Sequence, residues 1–225
     1  MEFSGTLREE QQQAAEEILK YNNGVLSATT AFGKTVIGAN IISVKKVNTL
    51  IIVHTKQLLE QWIKRLNEFL IIDEIATVEN NKKRGRKKII NVIGQFGGGK
   101  NRLSGIIDVA TMQSLVREGE VKELVKDYGM VIVDECHHVS AFSLEQILKN
   151  VIAKYVYGLT ATPIRKDGHD PIIFMQCGPL RYKVDPIKQA LKRPFEHYVI
   201  PRFTPFNVKT DLKQNELTIT DIYSQ

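Results

Sequence analysis

At 225 residues, 43% hydrophobic and 25% charged, the chain is long enough to bury a sizeable core and too apolar to be a disordered polyelectrolyte. No apolar run reaches the roughly 18 residues that would span a bilayer, and the first residues carry no basic-then-apolar export pattern. Two cysteines 41 positions apart, Cys136 and Cys177, exclude a zinc ribbon or disulfide framework and suit a reducing, cytoplasmic setting.

The formal charge of +6 favours polyanionic partners. It is concentrated: Lys82, Lys83, Arg84, Arg86, Lys87 and Lys88 place six cations in seven residues. Such a run is either a solvated basic loop or a nucleic-acid contact.

In chain order, residues 7–20 carry the pattern of an amphipathic helix. Leu7, Gln11, Ala14, Ala15, Ile18 and Leu19 share one side, and Asn22-Asn23-Gly24 ends it. Val25–Ala28 is a short apolar strand, Thr29–Thr35 a turn, and 34–44 a helix. Thr49–His54 is the next strand, followed from Lys56 to about Phe69 by a helix with Leu58, Leu59, Trp62, Ile63, Leu66 and Phe69 at helical spacing. Trp62 reads there as a core residue. Residues 71–105 are less regular and hold the basic run and Gly97-Gly98-Gly99. Strand Ile106–Ala110 precedes helical stretches from Thr111 to Lys126. Then come the apolar run Met130–Val133, a helix near Ser143–Ile152 and strand Tyr155–Leu159. Continuous apolar strands separated by helices predict a mainly parallel sheet covered on both faces, a three-layer α/β domain over residues 1–185. Pro186, Pro194, Pro201 and Pro205 punctuate 186–225, which reads as an extended tail or linker.

Two segments compete as a phosphate loop. Gly94-Gln95-Phe96-Gly97-Gly98-Gly99-Lys100 satisfies the literal GxxxxGK pattern, but Asn101 follows where a metal-binding hydroxyl is needed. Leu103-Ser104-Gly105 then leads into a strand, so no helix N-terminus is present to hold phosphate. Ala28-Thr29-Thr30-Ala31-Phe32-Gly33-Lys34-Thr35 lacks the first glycine, yet an apolar strand enters it and a helix leaves it. There Gly33 lets the backbone approach phosphate, Lys34 reaches the β- and γ-phosphates of ATP, and Thr35 offers a hydroxyl to Mg2+. Alanine at position 28 implies that the turn needs no positive φ at its start. Asp134-Glu135 at the end of the Met130–Val133 strand supplies the other half of a P-loop site. Asp134 would engage Mg2+ through water, and Glu135 would polarise the attacking water. Lys34 and Asp134 stand 100 positions apart in an alternating α/β chain, and the pair points to ATP binding far more strongly than either motif alone.

These motifs resemble those of superfamily 2 helicases of the DExH branch. Asp134-Glu135-Cys136-His137 looks like their motif II and Thr160-Ala161-Thr162 like motif III. Leu7-Arg8-x-x-Gln11 looks like the adenine-reading Q-type motif and Ala28–Thr35 like motif I. Val53-His54-Thr55-Lys56 with Leu59-x-Gln61-Trp62 is similar to motif Ia. Gly97-Gly98 with Val109-Ala110-Thr111-Met112-Gln113-Ser114-Leu115 resembles the Ib and Ic region. The order holds over residues 3–185, and the run from Gly158 to Gly168 is closest to the XPB-like, restriction-helicase and phage recombination-helicase group. The resemblance implies a RecA-like lobe that binds ATP and Mg2+ against a second RecA-like lobe and moves on nucleic acid, DNA before RNA.

By the same resemblance Gln11, with Arg8 and Phe3 as weaker candidates, reads adenine, and Thr30, Ala31, Phe32, Gly33, Lys34 and Thr35 line the nucleotide. Thr55, Lys56, Gly98, Thr111 and Gln113 meet the strand backbone. His137, Thr160 and Thr162 couple the two sites. Ala31 stands where glycine is common, a departure that touches no required functional group. Nothing after Thr162 resembles the second lobe's Gln-x-x-Gly-Arg-x-x-Arg. The expectation is therefore a monomeric ATP-binding lobe, near-inactive in hydrolysis on its own. The contrasting reading is a non-catalytic nucleic-acid-binding module that keeps the fold.

Overall fold

A computed structural model describes residues 1–72, 78–80, 87–89, 92–136, 141–161, 170–185 and 200–201. By internal contacts the chain divides into Met1–Ala190 and Leu191–Gln225. Every element below belongs to the first unit; of the second, only Ile200 and Pro201 are described. Lys82, Lys83, Arg84 and Arg86 of the basic run, His137, Thr162 and nearly all of the 186–225 segment lie outside the described residues.

The elements run β1 (Glu2–Phe3), α1 (Glu9–Leu19), β2 (Asn23–Ser27), α2 (Lys34–Lys45), β3 (Thr49–Val53), α3 (Lys56–Phe69) and β4 (Leu70–Ile71). Next come β5 (Val78–Asn80), β6 (Lys87–Ile89), β7 (Ile93–Gly97), β8 (Lys100–Arg102), β9 (Ile107–Thr111), α4 (Met112–Leu115), β10 (Val116–Arg117) and β11 (Glu120–Val121). A 3-10 turn at Glu123–Asp127 leads to β12 (Met130–Asp134), α5 (Ala141–Asn150), β13 (Tyr155–Thr160), α6 (Asp170–Cys177) and β14 (Leu180–Lys183).

Eight strands form one sheet in the order β14-β2-β13-β12-β3-β9-β7-β8. All neighbours are parallel except the β7–β8 hairpin at one edge. The central strands are apolar without alternation because both faces are covered. Ile51 and Val53 of β3 and Met130 and Ile132 of β12 pack with α1, α2 and α3 through Ile18, Ile41, Trp62 and Leu66. Leu50 and Ile52, with Val131 and Val133, point to the opposite face, where they pack with Leu115, Leu144, Ile147 and Ile173 of α4, α5 and α6. Successive side chains leave a strand on opposite faces, so each strand feeds two cores. Burying each such aliphatic side chain contributes about 1.5–3 kcal/mol. The predicted three-layer α/β domain is what forms.

Three segments depart from the sequence reading. The predicted helical stretch from Thr111 to Lys126 is interrupted by the β10–β11 hairpin. Its turn residues Glu118 and Gly119 have φ of 54° and 84°, the pair of positive values that a tight hairpin turn requires. Helix α6 and strand β14 were not anticipated. Pro171 stands in the first turn of α6, where a missing N–H costs nothing. The rejected GxxxxGK segment opens no helix and forms the β7–β8 hairpin, and its first glycine has a packing reason. A Cβ on Gly94 would lie 1.8 Å from Asp108 Oδ1. Asp108 is fully buried and accepts from the Ser104 and Gly105 amides and from Tyr128 Oη, all at 2.7 Å.

Candidate functional site

Parallel strands end on a common edge, and here β2 and β12, separated only by β13, bring the phosphate-loop candidate and the acidic pair together. The loop leaves β2 at Ser27 and enters α2 through Gly33, which has φ of 94°. No side chain caps α2, and its Val36 amide donates to Gly33 O at 2.9 Å; the positive end of the helix dipole faces the loop. Glycine is also required by space at this position, because a Cβ on Gly33 would lie 2.4 Å from Gln11 Nε2. Ala28 lies outside the positive-φ residues, as its sequence suggested, but Ala31 has φ of 68°. The departure at Ala31 therefore bears on the backbone rather than on any functional group.

Lys34 is buried, and its Nζ donates to Ala28 O at 3.2 Å and pairs with Glu135 Oε1 at 3.2 Å. Glu135 takes a left-handed backbone, φ 49°, which turns its carboxylate back over the loop. Its Oε2 accepts from the Ala161 amide at 3.3 Å. One carboxylate thus joins the phosphate-loop candidate to the segment after β13. Asp134, 5% exposed at the end of β12, is held through both oxygens: Oδ1 accepts from the Glu135 amide at 3.0 Å and Oδ2 from Trp62 Nε1 at 2.7 Å. Burial pushes the Asp134 carboxyl above the usual carboxylate range, opposed by the Trp62 N–H and the Lys34 ammonium. A lysine held by a carbonyl and a carboxylate, a hydroxyl at Thr35 and a partly desolvated carboxylate form a donor set suited to a phosphate chain with a hard divalent cation. Lys34, Thr35, Asp134 and Glu135 fit that group.

Gln11 faces the same loop. Its Oε1 accepts from the Arg8 amide at 2.9 Å and its Nε2 donates to Phe32 O at 2.7 Å. Arg8 Nη2 donates to the same carbonyl at 2.5 Å. A carboxamide has two acceptor and two donor positions, so each end of Gln11 keeps one for a further partner. Phe3, the other adenine candidate, is partly buried and stacks its ring on Phe69 at 6.0 Å. Thr30, Ala31 and Phe32 complete the turn, with Phe32 buried.

The remaining candidates gather at the ends of β3, β7 and β9. Thr55 caps α3, its hydroxyl accepting from the Leu58 amide at 3.2 Å. Lys56 is exposed and pairs loosely with Glu60 at 3.7 Å. It lies against Gly98, where a Cβ would meet Lys56 Cγ at 3.1 Å and where φ is 60°. Thr111 Oγ1 and Ser114 Oγ are 2.7 Å apart, and Gln113 Nε2 donates to His54 O at 3.1 Å. Thr160 is buried at the end of β13, and its carbonyl accepts from Ala28 N at 2.9 Å. An open pocket of ≈ 350 Å³ adjoins Gly97, Gln113 and Ser114, with Lys100, Arg117 and Lys122 on its wall. Among these residues, sequence reasoning missed the grip of Trp62 on Asp134, because a tryptophan at helical spacing carries no sign of what its N–H meets.

Comparison with known proteins gives this geometry a lineage. Residues 4–165 match the family described as type III restriction enzyme, res subunit. The DNA 3'-5' translocase XPB2 of Sulfurisphaera tokodaii is 33% identical over 177 residues, covering 79% of this chain and 35% of that protein. The DNA 3'-5' helicase XPB of Mycobacterium tuberculosis is 29% identical over 182 residues, covering 78% of this chain and 30% of that protein. A protein of Acanthamoeba polyphaga mimivirus whose name places it among RNA helicases is 30% identical over 209 residues, covering 90% of this chain and 35% of that protein. The chain therefore spans about a third of these relatives. Among solved structures, the UvsW helicase of bacteriophage T4 superposes with a TM-score of 0.64 at 20% identity, covering 81% of this chain and 64% of that one. That likeness bears on the fold.

Proposed function

The chain belongs to the type III restriction enzyme res-subunit family within the superfamily 2 helicases, as an N-terminal RecA-like lobe, and from that premise we propose that it is the ATP-binding half of an ATP-driven DNA helicase or translocase. The observation that carries the reading is the 3.2 Å pairing of Lys34 with Glu135 across the strand ends. That pair puts a phosphate-binding cation and a candidate general base in one small volume. DNA is favoured over RNA because two of the relatives named above are DNA translocases or helicases.

In this reading Lys34 leaves Glu135 for the β- and γ-phosphates, and the amides at the start of α2 receive the phosphate chain. Thr35, and Asp134 through water, would hold Mg2+, which when bound would neutralise phosphate charge. Glu135, released from Lys34, orients and deprotonates the attacking water. Its bond from the Ala161 amide supports a coupling role for the segment after β13, to which Thr160 belongs; His137 and Thr162 would share that role. Gln11 and Arg8 meet the adenine edge, with Thr30, Ala31 and Phe32 beneath. Thr55, Lys56, Gly98, Thr111 and Gln113 hold the strand by its phosphates, which gives affinity without sequence choice.

Residues 1–185 form the lobe and 186–225 lead toward a second RecA-like lobe of the same parent chain. That second lobe would supply the arginine that raises turnover by about 10³–10⁵ in enzymes of this chemistry. The isolated chain is then a monomer that binds ATP, binds nucleic acid weakly and hydrolyses near background. Its two buried free cysteines suit a cytoplasmic, reducing setting; among the described residues no helix is long and apolar enough to cross a membrane. Lys34→Ala tests the reading: nucleotide affinity measured by calorimetry should fall at least tenfold, by roughly the 1.4 kcal/mol or more of a charge-assisted contact. Unchanged affinity would leave the contrasting account, a binding module that only retains the fold.

A further inference from the structure

Trp62 is the chain's only tryptophan, and its ring on α3 is fully buried. A buried indole N–H needs an acceptor, and a backbone carbonyl would meet that need without charge. Here the acceptor is instead Oδ2 of Asp134, at 2.7 Å. Because Oδ1 takes the Glu135 amide at 3.0 Å, the carboxylate is fixed at both ends and cannot turn about its last bond. The helix that follows the phosphate loop makes room for this arrangement. A Cβ on Gly38 of α2 would lie 2.5 Å from Trp62 Cη2, so only glycine there lets the ring reach between the two elements. One side chain thus touches the phosphate-loop helix through Gly38 and the acidic strand end through Asp134.

We propose that Trp62 is the positioning residue for Asp134: its indole N–H locks the carboxylate so that the remaining lone pairs meet the Mg2+–nucleotide complex in one orientation. The inference rests on the ATP-site reading above. Partners of metal-binding groups act by fixing ligand orientation, and losing one lowers metal affinity by roughly 10–100-fold.

The test uses the 225-residue chain and a fluorescent ADP analogue. Trp62→Phe keeps an aromatic ring in the core while deleting the N–H together with part of the indole bicycle, so the comparison with and without Mg2+ separates the lost donor from the lost packing. Its affinity for the analogue in EDTA should match wild type, while the Mg2+ concentration needed for half-maximal tightening should rise about tenfold. In an Asp134→Asn background the same change should have no further effect on Mg2+ dependence. Gly38→Ala, which crowds the ring without removing the donor, should shift the Mg2+ dependence in the same direction. Without any substitution, the single indole N–H resonance of the native chain should move when Mg2+ is added to the ADP-bound protein. Equal losses with and without Mg2+, an additive double-mutant result, or a stationary indole resonance would each overturn the proposal by reducing Trp62 to a packing residue. Should Lys34→Ala leave affinity for the analogue intact, the ATP-site reading itself fails, a result separate from any of these.

Discussion

Lys34 and Glu135 hold each other 3.2 Å apart across the ends of two parallel strands, Lys34 9% and Glu135 19% exposed. In this arrangement the lysine that would receive phosphate is neutralised by the carboxylate that would activate water. Nucleotide entry must separate them. Glu135→Gln removes the competing charge from Lys34 while keeping side-chain size and a carbonyl acceptor for the Ala161 amide. Affinity for Mg2+–ATP should equal or exceed that of the native chain, and hydrolysis by a two-lobed parent protein should fall by about 10²–10⁴. Calorimetry on the chain and a phosphate-release assay on the parent check the two halves.

Ala31 offers a stability prediction of the opposite kind. With φ of 68°, its Cβ costs about 1–2 kcal/mol in the left-handed region, whereas glycine adds about 0.4–1 kcal/mol of unfolded-chain entropy. Ala31→Gly should therefore stabilise the fold by a net ~0.5–1 kcal/mol, raising Tm by about 1–4 °C for a chain of this size. Calorimetric melting without nucleotide measures it, and a lower Tm would contradict the strain argument.

Lys56 and Gly98 pack against one another at the candidate strand surface. Lys56→Ala should weaken single-stranded DNA binding without changing nucleotide affinity, and should reduce the slope of log affinity against log salt by about one. Gly98→Ala forces a side chain into φ of 60° and against Lys56, so its DNA affinity should fall as well. Fluorescence anisotropy over a salt series distinguishes these effects from a general loss of folding.

The two buried thiols contribute to a loss of stability at alkaline pH. Burial pushes Cys177 from the ordinary 9.0 up to about 12, and burial, then the neighbouring Cys177 and the acidic pair, raise Cys136 well above 9.0. Both groups are neutral in the fold and ionise more readily when unfolded. The stability they contribute is complete below about pH 9 and is lost as pH rises toward the folded values, by roughly 1.4 kcal/mol per pH unit for each thiol. Cys177→Ala should lower stability at pH 7 through lost packing yet flatten the decline above pH 9 by one proton. Urea melts at pH 7, 9 and 10 give the slopes.

Much of this was legible from residue order alone. Unbroken apolar runs such as Leu50–Val53 and Met130–Val133 specify strands covered on both faces, because no polar alternation is left to face water. The preference between the two glycine-lysine segments was also local: Thr35 follows one lysine and opens a helix, whereas Asn101 follows the other and no helix opens there. The hairpin at Glu118-Gly119 was misread because its strands are only two residues each, too short for period-two patterning to outweigh helix propensity.

By itself, then, the sequence determined the layers, the strand–turn–helix of the phosphate-loop candidate and the acidic strand end, since these depend on side-chain type and on spacing along one element. The tertiary fold alone decided which residues grip them. The sheet order sets β13 between β2 and β12, which is why Lys34 meets Glu135 and why Ala161 can reach the same carboxylate. Trp62 meets Asp134 only because α3 packs beside α2 and Gly38 leaves it a slot. A hydrogen bond between residues 72 positions apart leaves no periodic trace in either segment, because its partners are chosen by packing and not by local conformation.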